Sequence, residues 1–254
     1  MATESASLLT RIAPSVDWPV TVCVLFYGDH PDLAERFFSR LIRHTSVDLI
    51  RLRVGCNAVS EETRRVVASY CENHFPDAIV IDSDQNLFKC PMMRRLFHDD
   101  PLETRWIIWF DDDSFVFRDD WLRSLALSIE RHAEVAMFGK KFYIHLEKAE
   151  QKLIEAAPWF REIPLVCEET EWGSVAPRVD FISGGFWAMR TSVLAELDWP
   201  DPQLTQHAED FILGAALRQH GKRILQSYSG VAVNEAERRG PPDDERIWGS
   251  QVKS

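Results

Sequence analysis

Short apolar runs alternate along the chain with segments in which apolar residues recur at helical spacing. The run at residues 20–27 is rich in β-branched and aromatic side chains, which is typical of a buried strand. In the next segment, Ala34, Phe37, Phe38 and Leu41 have the i, i+3, i+4, i+7 spacing of one buried helix face. The pattern recurs and predicts strands at residues 20–27, 49–54, 78–81, 106–110, 135–138 and 179–189.

Turn and capping residues predict helices between these strands. Pro31 suits the first turn of a helix, Ser60 can cap the next one, and Gly221 is a carboxyl-terminal stop for a helix that starts near residue 209. Residues 145–178 contain charged helical stretches but no clean period, so we expect an excursion over the sheet. The alternation of strands and helices predicts an α/β fold with a central, mostly parallel sheet flanked by helices.

The composition is that of a globular protein, since 45% of the 254 residues are hydrophobic and 27% are charged. We expect one domain over residues 1–254, with an amino-terminal extension at 1–17 and a flexible, polar tail at 240–254. The net charge of −11 argues against nonspecific attraction to nucleic-acid phosphates or anionic membranes. The longest uncharged run, at residues 18–28, has about half the length of a membrane span.

The amino-terminal sequence and the cysteine pattern indicate the cellular compartment in which we expect the protein. Residues 1–15 carry Glu4 and lack a basic segment followed by a long apolar core, so they do not resemble a secretion signal. The five cysteines form no CxxC pair, which favours reduced thiols over a disulfide framework or a zinc site. We therefore expect a cytoplasmic protein without a membrane span.

Three adjacent carboxylates, Asp111, Asp112 and Asp113, follow the predicted strand at 106–110. Open α/β sheets bind ligands beyond the carboxyl ends of their strands. Three ionised carboxylates in a row repel one another and need a compensating cation, and carboxylate oxygens suit Mg²⁺ or Mn²⁺. Taken alone, the triplet also fits a solvated turn or a helix cap.

The triplet is one of four motifs in a fixed order: NLFK at 86–89, WFDDDSFV at 109–116, FISGGFWAM at 181–189 and HAEDFILG at 207–214. This order resembles the glycosyltransferases of the GT-A, Rossmann-like fold, and most closely the Fringe and β-1,3-galactosyltransferase group. The resemblance extends over residues 20–224. Each motif is short, so their joint order carries the resemblance.

The resemblance implies a nucleoside-diphosphate sugar as donor, most simply a UDP-sugar, with Mn²⁺ or Mg²⁺. It implies Asp113 as the leading metal ligand, Asp111 as an assisting ligand, and Asp112 facing ribose or sugar hydroxyls. A bound metal would offset the charge that builds on the departing diphosphate. The further donor contacts that it implies are Phe26, Tyr27, Gly28 and Asp29 around the base, Lys89 and Arg94 from the next helix, and Gly184, Gly185 and Trp187 at the sugar.

Each of these donor residues also has a structural alternative. The aromatic residues could belong to the core, and the cations could form a solvated face, with Lys89 the cation most favoured for function. Glycine weakens a strand and often marks the close approach of a ligand, but Gly184 and Gly185 could also mark a bulge.

An acidic pair at the start of the last predicted helix supplies the catalytic candidates. In the Fringe-like pattern the second acid of the pair is the general base, which makes Asp210 the base and Glu209 its substitute. The alternative is that the pair only complements the helix dipole. The chain departs from the family in having no histidine after His220, where members commonly supply a metal ligand. An oxygen of Asn234 or Glu235 could replace it.

The sequence leaves the acceptor open. A saccharide hydroxyl is the expectation from the family, with His207 helping to shape the acceptor side. A hydroxymethylated base in DNA is an alternative, as is a noncatalytic protein that binds nucleotide sugars, whereas a phosphohydrolase is disfavoured because no second acidic cluster follows closely. Cations that could track DNA phosphates are Arg36, Arg40, Arg43, Lys140 and Lys141. Charge and position also predict that residues 238–240 close over the diphosphate.

Overall fold

A computed structural model describes residues 19–205 and 208–234. Its strands are β1 (Val20–Tyr27), β2 (Ile50–Asn57), β3 (Ile79–Ser83), β4 (Trp106–Asp111), β5 (Phe115–Val116), β6 (Val135–His145), β7 (Val166–Glu169), β8 (Val175–Arg190), β9 (Arg223–Gln226) and β10 (Val231–Ala232). Its α-helices are α1 (Pro31–His44), α2 (Glu61–His74), α3 (Lys89–His98), α4 (Trp121–Arg131), α5 (Lys148–Glu155), α6 (Thr191–Leu197) and α7 (Glu209–Gln219), and a single 3-10 turn spans Val47–Leu49.

The main sheet has the strand order β3-β2-β1-β4-β8-β6-β9. Neighbours from β3 to β4 are parallel, as are β6 and β9, whereas β8 runs antiparallel to both β4 and β6. The short β7 pairs with the beginning of β8, and β5 and β10 form a separate two-stranded sheet. This topology confirms the predicted α/β fold with a mostly parallel central sheet and flanking helices.

Apolar side chains cover both faces of the sheet. One cluster joins β1, β2 and β4 to α1, α2 and α4, and it includes Phe26 and Phe110. The other joins the opposite face to α3, α6 and α7, and it includes Trp109 and Trp187. Burial on both faces explains why β1 and β4 are near-continuous apolar runs rather than alternating ones. Within the described part of the chain, no helix has the length and apolarity needed to cross a membrane.

The predicted excursion at 145–178 contains a charged helix, α5, and also β7 and the start of β8, which the sequence pattern does not predict. β6 and β8 also extend beyond their predicted ends and form an antiparallel ribbon. Ion pairs join the strands: Asp180 of β8 binds Lys141 of β6 at 2.6 Å, and Arg178 of β8 binds Glu168 of β7 at 2.8 Å. Within β8, Arg178 and Asp180 also pair at 2.9 Å. Charged cross-strand pairs stabilise a sheet without producing an apolar period, so the sequence pattern did not reveal these strands.

Candidate active site

The carboxylate of Asp111 ends β4 at the edge of the sheet where the parallel strands have their carboxyl ends. Trp109 Nε1 donates a hydrogen bond to Asp111 Oδ1 at 2.9 Å, and Lys89 Nζ lies 2.9 Å from Asp111 Oδ2. Burial raises the pKa of Asp111 to about 6, although the neighbouring Lys89 works against the shift. Both oxygens of this carboxylate therefore accept hydrogen bonds from neighbouring side chains.

Lys89 is the first residue of α3, and its ammonium group connects three segments of the chain. Its Nζ lies 2.9 Å from Asp111 Oδ2, 2.8 Å from Glu209 Oε1 and 3.2 Å from the carbonyl oxygen of Gly184. Burial disfavours the charged form, but Asp111 and Glu209 outweigh it and raise the pKa of Lys89 above its ordinary value. The end of β4 and the start of α7, nearly a hundred positions apart, thus meet at one cation.

Two adjacent glycines in β8, Gly184 and Gly185, leave space for the side chains that surround Lys89. A Cβ atom on Gly184 would lie 2.8 Å from Glu209 Oε1 and 3.1 Å from Lys89 Nζ. A Cβ atom on Gly185 would overlap the carboxamide of Asn234. The glycine pair is therefore needed because side chains from α3, α7 and the segment after β10 approach the β8 backbone closely.

Asp210 occupies the first turn of α7, next to Glu209. Its Oδ1 accepts a hydrogen bond from the backbone N–H of Phe211 at 2.8 Å, and the backbone of Gly184 donates another hydrogen bond to its carboxylate. Burial and the charge of Glu209 raise the pKa of Asp210 to about 6, against the effect of these N–H donors and of Lys89. Asp210 is therefore a partly buried carboxylate that is ionised at neutral pH.

Asp112 contacts the end of β1, and Ser114 contacts the segment after β10. Asp112 is 7% exposed, and its Oδ2 lies 3.4 Å from the backbone N of Tyr27. The buried hydroxyl of Ser114 accepts a hydrogen bond from the backbone N–H of Asn234 at 3.0 Å. Asn234 has a φ of +56°, a left-handed conformation that asparagine tolerates, and its Nδ2 lies 3.4 Å from Ser183 Oγ.

A network of amide groups connects the ends of β1 and β2 to the loop before Lys89. Asn57 Nδ2 donates to Asn86 Oδ1 at 2.9 Å, and Asn57 Oδ1 accepts from the backbone N–H of Leu87 at 2.8 Å. Asn86 Nδ2 in turn donates to the hydroxyl of Tyr27 at 3.3 Å. Sequence reasoning missed Asn57, which pairs with Tyr27 in the register of β1 and β2. The available signal was the position of this polar side chain at the carboxyl end of a strand, where α/β sheets bind ligands.

Residues 19–246 match the model of a protein family described as glycosyltransferase-like family 2. The chain belongs to this family. Among curated proteins, no relative matches the sequence. The match supports a glycosyltransferase domain of the family 2-like type, whereas the narrower resemblance to the Fringe and β-1,3-galactosyltransferase group stays a prediction.

Solved structures of other glycosyltransferases share the fold of this family 2-like domain. A mannosyltransferase from Pyrobaculum calidifontis, PcManGT, in complex with GDP-Man and Mn²⁺, is 17% identical with a TM-score of 0.58, over 91% of this chain and 62% of that one. GalNAc-T7 with UDP, GalNAc and Mn²⁺ is 13% identical with a TM-score of 0.61, over 84% and 43% of the two chains. Staphylococcus aureus TarS 1–349 with UDP-GlcNAc is 16% identical with a TM-score of 0.51, over 83% and 56%.

At such low sequence identity, the structural similarity shows that the domain has the GT-A fold, but it does not show the donor, the acceptor or the mechanism. The chain spans less than two thirds of each of these three structures.

Three of the predicted donor contacts are corrected by the structure of the glycosyltransferase domain. Phe26 is 1% exposed and its ring packs in the core against Phe37, because residues 26 and 27 of a strand point to opposite faces. Trp187 is 2% exposed and stacks on Trp109, its partner in the β4–β8 register. Neither ring is accessible to a base or a sugar.

Arg94, the third of these contacts, lies on α3 but is directed away from Lys89. Its guanidinium binds the carboxylate of Asp198 at 3.0 Å and the carbonyl oxygen of Pro200 at 2.8 Å. The arginine therefore ties α3 to the end of α6 rather than to the acidic segments.

Tyr27, Gly28 and Asp29 remain at the predicted donor edge. The side chain of Tyr27 is 44% exposed, and Asp29 is exposed as well. Gly28 has a φ of +74°, which lets β1 turn sharply towards α1. Predicted roles for His207, Glu235 and residues 238–240, and for the extension and tail at 1–17 and 240–254, lie outside the described residues.

The cations considered for DNA binding do not all face solvent. The guanidinium of Arg36 lies over the ring of Phe115 at 4.5 Å, and Lys141 is paired with Asp180 at 2.6 Å. Arg40 and Arg43 are exposed on α1. On the surface that the structure describes, fewer of these cations are therefore available to contact DNA phosphates than the sequence predicts.

Proposed function

We propose that this domain transfers a sugar from a nucleoside-diphosphate sugar to an acceptor hydroxyl, with inversion at the anomeric carbon. The observation that carries the proposal is the meeting of Asp111 and Glu209 at the ammonium group of Lys89. It brings the acidic end of β4, expected at the diphosphate, next to the acidic start of α7, expected at the acceptor. The sugar donor and the acceptor hydroxyl would then bind in the same cleft, as a direct displacement requires.

Asp210 is the general base in this proposal. An inverting transfer needs a carboxylate that takes the proton of the acceptor hydroxyl as its oxygen attacks the sugar, and such help contributes on the order of 10²–10⁴-fold in rate. The pKa of Asp210, about 6, leaves the carboxylate ionised at neutral pH yet more basic than an exposed aspartate. The N–H groups of Phe211 and Gly184 fix its orientation and leave lone pairs for the acceptor.

The acidic residues fit a divalent ion that takes most of its ligands from the substrate. Among the residues described, no three His, Cys, Asp or Glu side chains form a metal-binding group. Mg²⁺ is commonly held by one or two carboxylates together with substrate phosphates, so a closed protein cage is not required. As the resemblance implies, Asp113 would be the main ligand, and Asp111, whose oxygens accept hydrogen bonds from Lys89 and Trp109, would assist. When bound, Mn²⁺ or Mg²⁺ would neutralise charge on the diphosphate.

The donor edge is assigned to the ends of β1 and β2. The exposed ring of Tyr27 offers a stacking face for a nucleobase, and Asp29 offers an acceptor for base or ribose hydrogen bonds. The buried carboxylate of Asp112 holds the backbone of Tyr27 in this arrangement. Two of the structural neighbours hold UDP or UDP-GlcNAc and one holds GDP-Man, which makes uridine and guanosine donors the first to test.

Calorimetric titration tests the donor assignment. UDP-glucose, UDP-galactose, UDP-GlcNAc and GDP-mannose are titrated into the protein with and without Mn²⁺. The proposal expects at least one donor to bind, and to bind more tightly with the metal. Absence of binding by every donor in both conditions would refute it.

A transfer assay against saccharide acceptors and hydroxymethylated DNA then separates an enzyme from a noncatalytic binding protein. Nucleoside-diphosphate release that depends on an acceptor supports the enzyme. Donor binding without release under any acceptor supports the binding protein. The anomeric configuration of the product, read by NMR, tests inversion.

A further inference from the structure

We propose that Lys89 is a positioning residue that holds the general-base segment against the end of β4, and is not a ligand of the donor diphosphate. The inference rests on the proposed function, in which Asp210 is the base. It departs from the expectation that a lysine ahead of an acidic triplet reaches the phosphates of the donor.

The first observation is that the hydrogen-bonding capacity of the ammonium group is used within the protein. An ammonium has three donors and no acceptor. Lys89 Nζ has three acceptors within reach: Asp111 Oδ2 at 2.9 Å, Glu209 Oε1 at 2.8 Å and the Gly184 carbonyl at 3.2 Å. A phosphate oxygen would have to displace one of them, and displacing either carboxylate would leave a partly buried negative charge beside the donor.

The second observation is that the surrounding backbone is adapted to this arrangement. A lysine at the amino end of a helix is unfavourable for the helix dipole, so its place at the start of α3 needs another reason. Phe88, immediately before it, has a φ of +66° and a ψ of 172°, a conformation that non-glycine residues rarely adopt. Gly184 lacks the Cβ that would lie 3.1 Å from Nζ. These features together place the ammonium between the two acidic segments.

The third observation shows how Lys89 acts on the base. Gly184 donates its backbone N–H to Asp210 and accepts from Lys89 at its carbonyl oxygen. Glu209, the residue before Asp210, is bound by the same ammonium. Lys89 therefore fixes the base through two routes, one along α7 and one across β8, without touching the reacting atoms.

The test compares Lys89→Met with Lys148→Met, an exposed lysine that is likewise the first residue of a helix, α5. For Lys89→Met we expect kcat at saturating donor to fall on the order of 10²-fold, since small misplacements of catalytic groups have effects of this size. The calorimetric Kd for UDP with Mn²⁺ should change less than about threefold, well under one decade of affinity. Lys148→Met should leave kcat and Kd unchanged.

Two further variants and a second readout complete the test. Lys89→Arg keeps the charge and should restore part of kcat, and Glu209→Gln should lower kcat and be non-additive with Lys89→Met. Amide hydrogen exchange of residues 211–213 should be faster in Lys89→Met than in the wild type. If Lys89→Met does not fold, Glu209→Gln carries the same comparison of kcat with Kd.

A weakened Kd for UDP in Lys89→Met, with kcat at saturation unchanged, would overturn the inference and make Lys89 a phosphate ligand. Absence of transfer by the wild type with every donor and acceptor would instead refute the proposed function. In that case hydrogen exchange still tests the positioning role of Lys89. If residues 211–213 exchange at the same rate in Lys89→Met as in the wild type, Lys89 does not position this segment.

Discussion

Replacing Asp210 with asparagine removes a partly buried charge and keeps the shape of the side chain, but it exchanges for an NH₂ group one of the two oxygens of a carboxylate that accepts from the N–H groups of Phe211 and Gly184. Burial, reinforced by Glu209, raises the pKa of Asp210 from 3.8 to about 6 in the folded protein. Because the folded state binds this proton more tightly than the unfolded state, ionisation of Asp210 costs folding free energy. A difference of roughly two pKa units corresponds to ~3 kcal/mol, an upper bound for a side chain that is only partly buried.

Asp210→Asn is therefore expected to lower transfer on the order of 10²-fold or more. It should also raise the free energy of unfolding at pH 8 by up to about 2 kcal/mol, because the exchanged oxygen offsets part of the gain. In a domain of this size each kcal/mol raises Tm by about 2–4 °C. Below pH 6 the wild-type carboxylate takes up its proton, so the difference between the two proteins should shrink and vanish near pH 3.8, the unperturbed value.

Urea denaturation followed by tryptophan fluorescence at pH 8, 6 and 4 measures this difference. Asp77→Asn, at an exposed carboxylate, is the control and should match the wild type at every pH. The reasoning is refuted if Asp210→Asn is no more stable than the wild type at pH 8, or if its advantage is as large at pH 4 as at pH 8.

Further substitutions probe the packing and the chemistry of the cleft. Gly184→Ala would place a Cβ 2.8 Å from Glu209 Oε1, the end of a flexible side chain that can shift, so we expect a small loss of stability, at most about 1 kcal/mol, but a lower kcat because Glu209 is displaced from Lys89; a wild-type kcat would contradict the close approach. Asn57→Asp replaces a donor to Asn86 Oδ1 by a buried carboxylate oxygen, although the N–H of Phe88 still donates to Oδ1, and it should cost about 1–3 kcal/mol, so a neutral effect would argue against the network. Asp113→Ala should remove the gain in UDP affinity that Mn²⁺ provides in calorimetry, and a full gain in the variant would assign the metal elsewhere.

The fold was predictable where strands are buried on both faces. β1 and β4 stand out as near-continuous apolar runs at residues 20–27 and 106–110, and their alternation with amphipathic helices predicts the α/β layers. The ribbon of β6 and β8 was not predictable to its full length, because cross-strand ion pairs, Lys141 with Asp180 and Arg178 with Glu168 of β7, stabilise this part of the sheet. Such pairs form only after the strands are aligned, so they leave no period in the sequence.

The site was predictable in its parts but not in its contacts. Motif order identified the acidic triplet, the glycine pair and the acids of α7, yet nothing local reveals that β8 lies antiparallel beside β4 and brings Gly184 to Lys89. The same limit explains the aromatic residues. Trp187 was expected to face a sugar, but the β4–β8 register stacks it on Trp109 in the core.

The central claim is that the base at the start of α7 and the donor share one cleft. The most direct measurement compares wild type with Asp210→Asn in donor affinity and in acceptor-dependent release of nucleoside diphosphate, on the same protein preparations at pH 8. The account predicts equal affinity and a loss of release on the order of 10²-fold or more in the variant. Release by Asp210→Asn at the wild-type rate would contradict it.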